Sequence, residues 1–458
     1  MRKLLAHAIL THDMNNPTCQ SPANPQRIIA IILCLMLAAW GLGGSALRIA
    51  TEGVGVLGVN NNVPWGWDIV LFVFWIGLGH AGTLLSAILL LTKKKWRKGI
   101  ARPAELMTIC AVCTAGIFPL IHVGRILMLW QIAPIPQASG VWPEAASALL
   151  WDAAAITSYL LLSCIFCAIC IRGERIQQEQ HRTIWAHTCL LLAGILTPLV
   201  IAVHSIVGSD FALALRWQSV IIPPYFVCGA ILSGMAAVQL IALIRRTRIT
   251  VISKMASLTA ALSGAMGIFY AYELITEPHL LNTTYICMLC LNVIIPFTLL
   301  NIRKLRHNRL IVMLTSIGIL FGMWQERIHI IIERSLMRYG GYYAPTGVDI
   351  SMLIGSLALF CALYLFHSSR IPSERIEPLH HLSSTPPPSP RNAAIIGGVL
   401  SLLITIIWLT TTQWADTAGH SGSSPQGILY YIPICLVLTL LGAGLGTAVN
   451  YLYITRKS

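Results

Sequence analysis

Apolar residues along this chain form long uninterrupted runs, and the polar residues collect in short breaks between them. Runs of about 18 or more apolar residues are typical of helices that cross a membrane. The sequence therefore predicts an all-α, polytopic transmembrane helical protein of about 12 spans. The predicted spans cover residues 28–47, 69–92, 104–130, 146–171, 183–206, 218–244, 251–274, 281–302, 310–331, 348–367, 393–412 and 428–453.

One long polar break, at residues 369–392, interrupts this series. It carries the run SSTPPPSP from Ser383 to Pro390, a composition typical of an extended linker. The break follows span 10, whereas a transporter with two six-span halves would have its long connection after span 6. We predict four segments: an N-terminal segment at 1–27, a ten-span membrane domain at 28–368, a Pro/Ser-rich linker at 369–392 and a two-span hairpin at 393–458.

Composition and charge agree with a membrane protein and predict its orientation. Hydrophobic residues make up 56% of the chain and charged residues 10%, with a mean hydropathy of +0.73, whereas soluble domains carry about 25% charged residues. The net charge is +14, but most Lys and Arg residues lie in alternate breaks, such as 93–102, 245–254 and 303–309. By the positive-inside rule these breaks and both termini are predicted to be cytoplasmic. The positive charge thus indicates topology, and no nucleic-acid partner is expected.

Ionisable side chains inside the predicted spans collect towards the outer side of the membrane, with His80 deeper. Each costs about 2.5–3.5 kcal/mol at the centre of a lipid-facing helix, so several together predict a polar interior. His122 on span 3 and Asp152 on span 4 lie at similar predicted depths on consecutive spans, and we expect them to meet. The alternative for such residues is a structural ion pair, for example between Glu326 and Arg327.

An imidazole and a carboxylate in an apolar outer-leaflet cavity suit a lipid-soluble redox carrier. Quinol oxidation needs a proton acceptor at each hydroxyl, and His and Asp are suitable bases. The 13 cysteines predict no metal site, because the Cys-x-x-Cys pairs lie within apolar spans and no Cys-x-x-Cys-His sequence occurs. We therefore expect no metal, haem or iron–sulfur cluster in this chain, and electrons would pass to a partner.

Short motifs occur in order over about residues 30–370. They are PWGWD at 64–68, FWIGLGHAGTL at 74–84, IHVGR at 121–125, LWD at 150–152, VHSIV at 203–207, SDF at 209–211, PPYF at 223–226, GMW at 322–324 with Glu326 and Arg327, and PTGVDI at 345–350. Together they resemble the NrfD/PsrC family of quinone-interacting membrane subunits, most closely the ActC subunits of bacterial alternative complex III.

This resemblance implies two four-helix bundles plus flanking helices, in the bacterial cytoplasmic (inner) membrane, with an outer-side site for a menaquinol or ubiquinol. The family's site histidine and aspartate correspond to His122 and Asp152, which are the implied catalytic residues. Arg125 and Trp151 are expected to complete the quinol-binding set. The implied proton path comprises Asp68, His80, His204, Asp210, Tyr270, Glu273, Glu326 and Arg327.

The last two spans resemble the two-helix hairpin of ActD, through IGG at 396–398, QW at 413–414 and YIP at 431–433. An ActC–ActD fusion is therefore expected. The implied partners are an iron–sulfur/molybdopterin-like peripheral subunit, a multihaem c-type cytochrome, a second NrfD-like membrane subunit, lipids and a terminal oxidase. Three alternatives stay open: the quinone-reactive anchor of a polysulfide/dimethyl-sulfoxide-reductase-like complex, a structural anchor without a working quinone site, and a secondary transporter.

Overall fold

The protein, seen in a computed structural model, folds into long helices that run back and forth. The structure describes residues 25–124, 148–173, 179–214 and 221–368. Ten long helices cover most of these residues. They are α1 (Pro25–Glu52), α2 (Trp67–Leu91), α3 (Ala101–His122), α4 (Ala148–Gly173), α5 (Glu179–Ala214), α6 (Ile222–Ile244), α7 (Ile249–Thr276), α8 (Thr283–Asn301), α9 (Arg309–Tyr339) and α10 (Gly347–Ser368).

These ten helices coincide with the first ten predicted spans and confirm the prediction of a polytopic all-α membrane protein. Within the described ranges, nine of them are long and apolar enough to cross a membrane, and α4 contributes the apolar stretch Ile156–Ile171. The predicted segments at 369–392 and 393–458 lie outside the described residues, as does nearly all of 1–27. The ActD-like hairpin therefore stays a prediction.

Helix packing forms two four-helix bundles, as the resemblance implied. Helices α2 to α5 form the first bundle, α6 to α9 form the second, and α2 and α5 pack against α6 to join them. The flanking pair, α1 and α10, packs against the first bundle through α3. Helix α2 contacts helices of both bundles, and 94% of its apolar window is buried. It is the central helix of the part of the chain that the structure describes.

Small residues let α2 approach its neighbours closely. A Cβ atom built on Gly234 of α6 would overlap Ala81 of α2, and one built on Gly82 would overlap Ala104 and Thr108 of α3. Such contacts between small residues are typical of helix pairs in membranes, where close backbone packing replaces the hydrophobic effect as the main attraction. These glycines therefore set the distance from α2 to both α6 and α3.

The two ends of the bundle differ in charge, and we name them for it. At the basic end, α2 ends and α3 begins, and the loop that contains Gly99 approaches Thr247 in the loop after α6. The guanidinium of Arg309 donates to the carbonyl of Thr247 there, at 2.7 Å. At the opposite, acidic end, α2 begins with Asp68 in its first turn and α3 ends at His122.

Replacing Gly234 by alanine tests the close packing of α2 on α6. The added methyl group would overlap Ala81 and the carbonyl of Leu78, and overpacking of this kind costs about 1–3 kcal/mol. We expect a lower midpoint of thermal unfolding in detergent. The control is Gly194→Ala, since a Cβ there meets open space. Equal midpoints for the two variants would contradict the packing assignment.

Candidate functional site

A buried carboxylate and an imidazole meet at the acidic end, where α2 begins and α3 ends. Nδ1 of His122 lies 2.7 Å from Oδ2 of Asp68. The Asp68 side chain is fully buried, whereas that of His122 is 27% exposed. The second carboxylate oxygen of Asp68 has no hydrogen-bond partner within the described residues. The pair thus has one buried member and one member that a molecule from outside can reach.

The loop between α9 and α10 closes over the start of α2. The hydroxyl of Tyr343 accepts from the backbone N–H of Trp67 at 3.2 Å and donates to Oδ2 of Asp349 at 3.3 Å. Burial, together with the nearby carboxylates of Asp349 and Asp68, raises the pKa of Tyr343 above its usual range. The phenol therefore keeps its proton and fixes α2, α10 and this loop to one another.

Two indole rings lie in the same region. Trp67 packs edge-on against Trp324 of α9, with ring centroids 4.9 Å apart and planes at 87°. Both indole nitrogens are buried, and neither has a hydrogen-bond partner among the residues that the structure describes. Buried indole N–H groups usually find an acceptor. These two can each offer a hydrogen bond to an oxygen of a bound molecule.

A pair of imidazoles lies in the middle of the first bundle. Nδ1 of His80 on α2 is 2.9 Å from Nδ1 of His204 on α5, and both side chains are about 99% buried. A single N–H can join the two nitrogens, so one ring donates and the other accepts. The Nε2 atom of each ring is buried with no partner among the described residues. The pair can therefore receive a proton at one side and release one at the other.

Hydroxyl groups continue from this pair towards the basic end. The ring of Tyr159 on α4 lies 4.6 Å from that of His80, and its hydroxyl donates to the carbonyl of Gly79 at 3.2 Å. The hydroxyl of Thr108 on α3 donates to the same carbonyl at 2.6 Å and accepts from the backbone N–H of Thr83 at 2.8 Å. Polar groups thus line α2 through its basic half.

A buried ion pair terminates this row. The hydroxyl of Ser86 donates to Oε1 of Glu105, and the guanidinium of Arg97 lies 3.6 Å from the same oxygen. Arg97 also donates to the carbonyl of Ser86 at 3.0 Å. Both charged side chains are essentially fully buried. A titratable carboxylate is therefore present inside the bundle near its basic end.

The second bundle contains its own buried polar cluster. Adjacent residues Glu326 and Arg327 on α9 form an ion pair with 3.1 Å between their charged atoms. The hydroxyl of Tyr270 on α7 donates to the other oxygen of Glu326 and accepts from the amide of Asn292 on α8 at 2.9 Å. Three helices thus contribute groups to a cluster around this buried carboxylate.

This cluster continues to the acidic end through a second carboxylate. The hydroxyl of Tyr285 donates to Glu273 at 2.9 Å, and Arg334 forms ion pairs with Glu273 and, at 3.2 Å, with Glu277. Glu273 is 3% exposed, whereas the side chain of Glu277 is 32% exposed. The series runs from the middle of the second bundle to a group that solvent can reach.

One aromatic ring lies between the histidine pair and this cluster. The guanidinium of Arg327 lies 4.8 Å above the ring of Phe226 on α6, and the centroid of the His204 ring is 6.3 Å from the same ring. Gly229, one turn further along α6, leaves room for the ion pair, since a Cβ there would lie 3.1 Å from Arg327 and 3.2 Å from Glu326. Phe226 therefore separates the two polar groups by a single ring.

The structure places eight of the predicted site residues with their side chains. Asp68 was predicted in the proton path, but its contact is with His122. The ion pair of Glu326 with Arg327, expected as the structural alternative, is present, although it also belongs to a larger cluster. His80 joins His204, while Tyr270 joins Glu326 and Tyr285 joins Glu273.

Four predicted residues are not placed in this way. Arg125 lies outside the described residues, and for Trp151, Asp152 and Asp210 only the helix backbone is described. The expected contact of His122 with Asp152 therefore stays a prediction.

Two helix ends differ from the predicted span ends. Helix α3 ends at His122, and Gly124 has φ +69, whereas span 3 was predicted to continue to residue 130, so the imidazole lies at the helix end. Helix α5 continues to Ala214, past the predicted end at 206. His204 consequently lies about 15 Å from that end at 1.5 Å per residue, which is deep enough to reach His80.

Several residues of these clusters were missed by the sequence interpretation. They are Arg97, Glu105, Tyr159, Tyr285, Asn292 and Arg334. Glu105 is the second residue of predicted span 3, on its cytoplasmic side, and Asn292 is an uncharged residue within an apolar run. A signal did exist for Glu105, since an acidic residue at the edge of an apolar span so near Arg97 is expected to pair with it.

Within the described ranges, no three His, Cys, Asp or Glu side chains converge in the way that a metal ion requires. The side chains of the described site can accept protons and form hydrogen bonds.

The chain is similar in sequence to membrane subunits of oxidoreductases. The chain is 22% identical over 417 residues to a protein of Halobacterium salinarum described as a putative membrane subunit of dimethyl sulfoxide reductase, covering 77% of this chain and 91% of that protein. It is also 22% identical over 206 residues to an Hdr-like menaquinol oxidoreductase integral membrane subunit of Archaeoglobus fulgidus, covering 44% and 48%.

The model of one family, described as polysulphide reductase NrfD, matches residues 55–337. This match begins before α2, ends in α9 and takes in both four-helix bundles with the paired side chains described above. As it covers more than half of the sequence, the chain belongs to the NrfD polysulphide reductase family.

Proposed function

We propose that this chain is the membrane subunit of a respiratory complex, in which it binds and oxidises quinol at the acidic end. The observation that carries the proposal is the contact of partly exposed His122 with buried Asp68. An imidazole held by a carboxylate is a suitable base for a quinol hydroxyl. Family membership supports the same function, since the two relatives are named for a dimethyl sulfoxide reductase and a menaquinol oxidoreductase.

The proposed reaction converts quinol to quinone with the release of two protons and two electrons. Nδ1 of His122 donates to Asp68, so Nε2 has a free lone pair that can accept a hydroxyl proton. Asp68 fixes this tautomer and stabilises the imidazolium that forms. The indole N–H groups of Trp67 and Trp324 are the proposed donors to the quinol oxygens. Asp152 is the predicted acceptor for the second hydroxyl, as the motif resemblance implies.

The electrons are proposed to leave through a partner subunit with an iron–sulfur centre that docks at the acidic end. The motif resemblance favours a complex of the alternative complex III type, which would add a multihaem c-type cytochrome and a second NrfD-like subunit. The relatives favour a coarser statement, a quinone-reactive anchor of a reductase-like complex. By the positive-inside rule, the acidic end would face away from the cytoplasm.

The buried polar groups are proposed to conduct protons. From the basic end the path would run through Glu105 and Ser86, past Thr108 and Tyr159, to His80 and His204. Across Phe226 it would continue through Glu326 and Tyr270 towards Glu273 and Glu277. Where hydroxyl groups are not in direct contact, ordered water would have to join them. The described chain of groups supports this proposal because it extends into both halves of the membrane.

The composition of the complex tests the proposed function directly. We expect the tagged chain, purified in mild detergent, to retain an iron–sulfur partner, identified by mass spectrometry and iron analysis. Iron–sulfur and multihaem subunits together would support the alternative complex III type, and a molybdopterin subunit would support the reductase-like anchor. A chain that purifies alone, from membranes without quinol-dependent electron transfer, would favour a structural anchor or a transporter.

Replacing Asp68 by asparagine tests the proposed base. The amide can donate to Nδ1 of His122 and would then favour the tautomer with a protonated Nε2, which accepts no proton from quinol. We expect the rate of quinol oxidation by the purified complex to fall about 10²–10⁴-fold, the range found when an oriented histidine base is lost. The complex should still assemble.

The control for charge is Glu52→Gln, since this carboxylate belongs to a half-exposed pair with Arg48 near the acidic end. It should leave the rate unchanged. A fully active Asp68→Asn complex would contradict the role of the Asp68–His122 pair, whatever the partner subunits prove to be.

Replacing His204 by glutamine tests the proton path. Glutamine can keep a hydrogen bond to His80, but it does not accept and release a proton. In liposomes that contain the whole complex, we expect fewer protons released per two electrons, with a ratio that approaches the two protons of quinol itself. With an uncoupling ionophore present, quinol oxidation should continue at nearly the normal rate.

The matched control is His279→Gln, because His279 is an exposed histidine in the loop after α7. If both variants release as many protons per electron as the unmodified complex, the histidine pair conducts no protons and its role is structural.

A further inference from the structure

Four lysines and a tryptophan are the described residues that line a cavity at the basic end. Its volume is about 650 Å³, and its lining consists of Lys93, Lys94, Lys95, Trp96 and Lys254. No Asp or Glu is among the lining residues that the structure describes. The cavity lies at the opposite end of the bundle from His122 and Asp68, and none of the polar clusters described above includes its residues.

The backbone at the end of α2 directs this lysine run into a sharp turn. The N–H groups of Lys93 and Lys94 bond to the carbonyls of Leu90 and Leu89 at 3.1 and 3.0 Å, which closes the helix. Lys93 has φ +54, a left-handed conformation that glycine usually adopts at this position. Lysine therefore occupies a position whose backbone conformation favours glycine.

A buried anchor holds the turn in place. Arg97 lies two residues after the lysine run, and its guanidinium contacts Ser86 and Glu105. Because Arg97 is fully buried, the short helical turn Lys95–Gly99 is fixed to α2 and α3. The side chains of Lys94 and Lys95 remain exposed. The turn therefore presents its charges from a fixed backbone.

The cavity lies near the ends of two apolar helices, α2 and α7. Lys93 is two residues past Leu91, where α2 ends, and Lys254 is five residues into α7, about 8 Å from its start at 1.5 Å per residue. Lysine side chains near helix ends extend to the headgroup region, and tryptophan is enriched there. Lys254 lies 158 positions after Trp96 in the sequence, and the fold brings it to the same cavity as the other three lysines.

We propose that this cavity binds the phosphate headgroup of an anionic phospholipid from the leaflet at the basic end. Basic cavities between transmembrane helices are suited to such headgroups. The volume exceeds what one inorganic phosphate fills, so it can also hold a glycerol group. Trp96 offers an apolar surface to the first carbons of the acyl chains. The proposal is independent of quinol oxidation.

A general positive charge at this face is the alternative explanation, and the sequence offers matched controls for it. Lys98 is exposed and belongs to the same loop as the lysine run, but it does not line the cavity. Lys304 is exposed in the loop after α8 and does not line it either. Each control removes the same charge from the same end of the protein as its test variant.

The test measures binding of lipid to the purified complex after delipidation. Native mass spectrometry with phosphatidylglycerol, and with phosphatidylcholine for comparison, gives the affinity. We expect Lys254→Gln to weaken phosphatidylglycerol binding about 5-fold, and Lys95→Gln with Lys254→Gln to weaken it about 30-fold, from the contribution of one lysine near a membrane surface. Lys98→Gln, alone or with Lys304→Gln, should change it less than about 2-fold.

Equal losses in test and control variants would overturn the proposal in favour of bulk charge. Equal binding of the two lipids would also overturn it. Inorganic phosphate that displaces phosphatidylglycerol at equal concentration would make the cavity a free-anion site. Should the double variant fail to give a single peak on size exclusion, Lys254→Gln alone decides the matter. Quenching of Trp96 fluorescence by brominated phosphatidylglycerol, absent in Trp96→Phe, would locate the bound lipid.

Discussion

The burial of α2 on all sides is the constraint on which the other features depend. This helix contacts helices of both bundles, so the polar side chains on it depend on partners inside the protein. Asp68 meets His122 at one end, His80 meets His204 in the middle, and Ser86 meets Glu105 near the other end. Glycines on α2 and α6 allow neighbouring helices to come close enough for these contacts. One helix thus aligns three polar sites along the membrane normal.

Charge burial in the second bundle is compensated differently. A single buried ion pair often gains less from attraction than it loses in hydration. Here Glu326 has Arg327 beside it and also accepts from Tyr270, which in turn accepts from Asn292. Asn292 lies in a π-helical turn of α8, a local irregularity that is frequent at functional sites. Contacts from three helices thus hold the Glu326 carboxylate in the interior of the second bundle.

The sequence predicted the helices well and their contacts only in part, and the reason is physical. Hydropathy locates a span, because lipid requires a long apolar helix wherever the chain crosses. Hydropathy does not show which side of that helix faces which neighbouring helix when all of its sides are apolar, as in α2. Asp68 was therefore recognised as an intramembrane acid, but its contact with His122 followed only from the fold. The helix ends also determine which residues meet, since the extra turns of α5 beyond residue 206 place His204 beside His80. Glu105 was missed because hydropathy does not distinguish a charged residue exposed at the end of a span from one that is buried just inside the bundle.

The geometry of the His80–His204 pair limits the direction in which successive protons could pass through it. Because Nδ1 faces Nδ1, one ring is the Nδ1–H tautomer and the other is the Nε2–H tautomer. If a proton arrives at one Nε2 and another leaves from the far Nε2, the shared hydrogen crosses and both tautomers exchange. The pair then points the opposite way, and a second proton cannot follow from the same side until the original tautomers are restored. Such a pair passes protons singly, and each transfer must be followed by a reset before the next can begin.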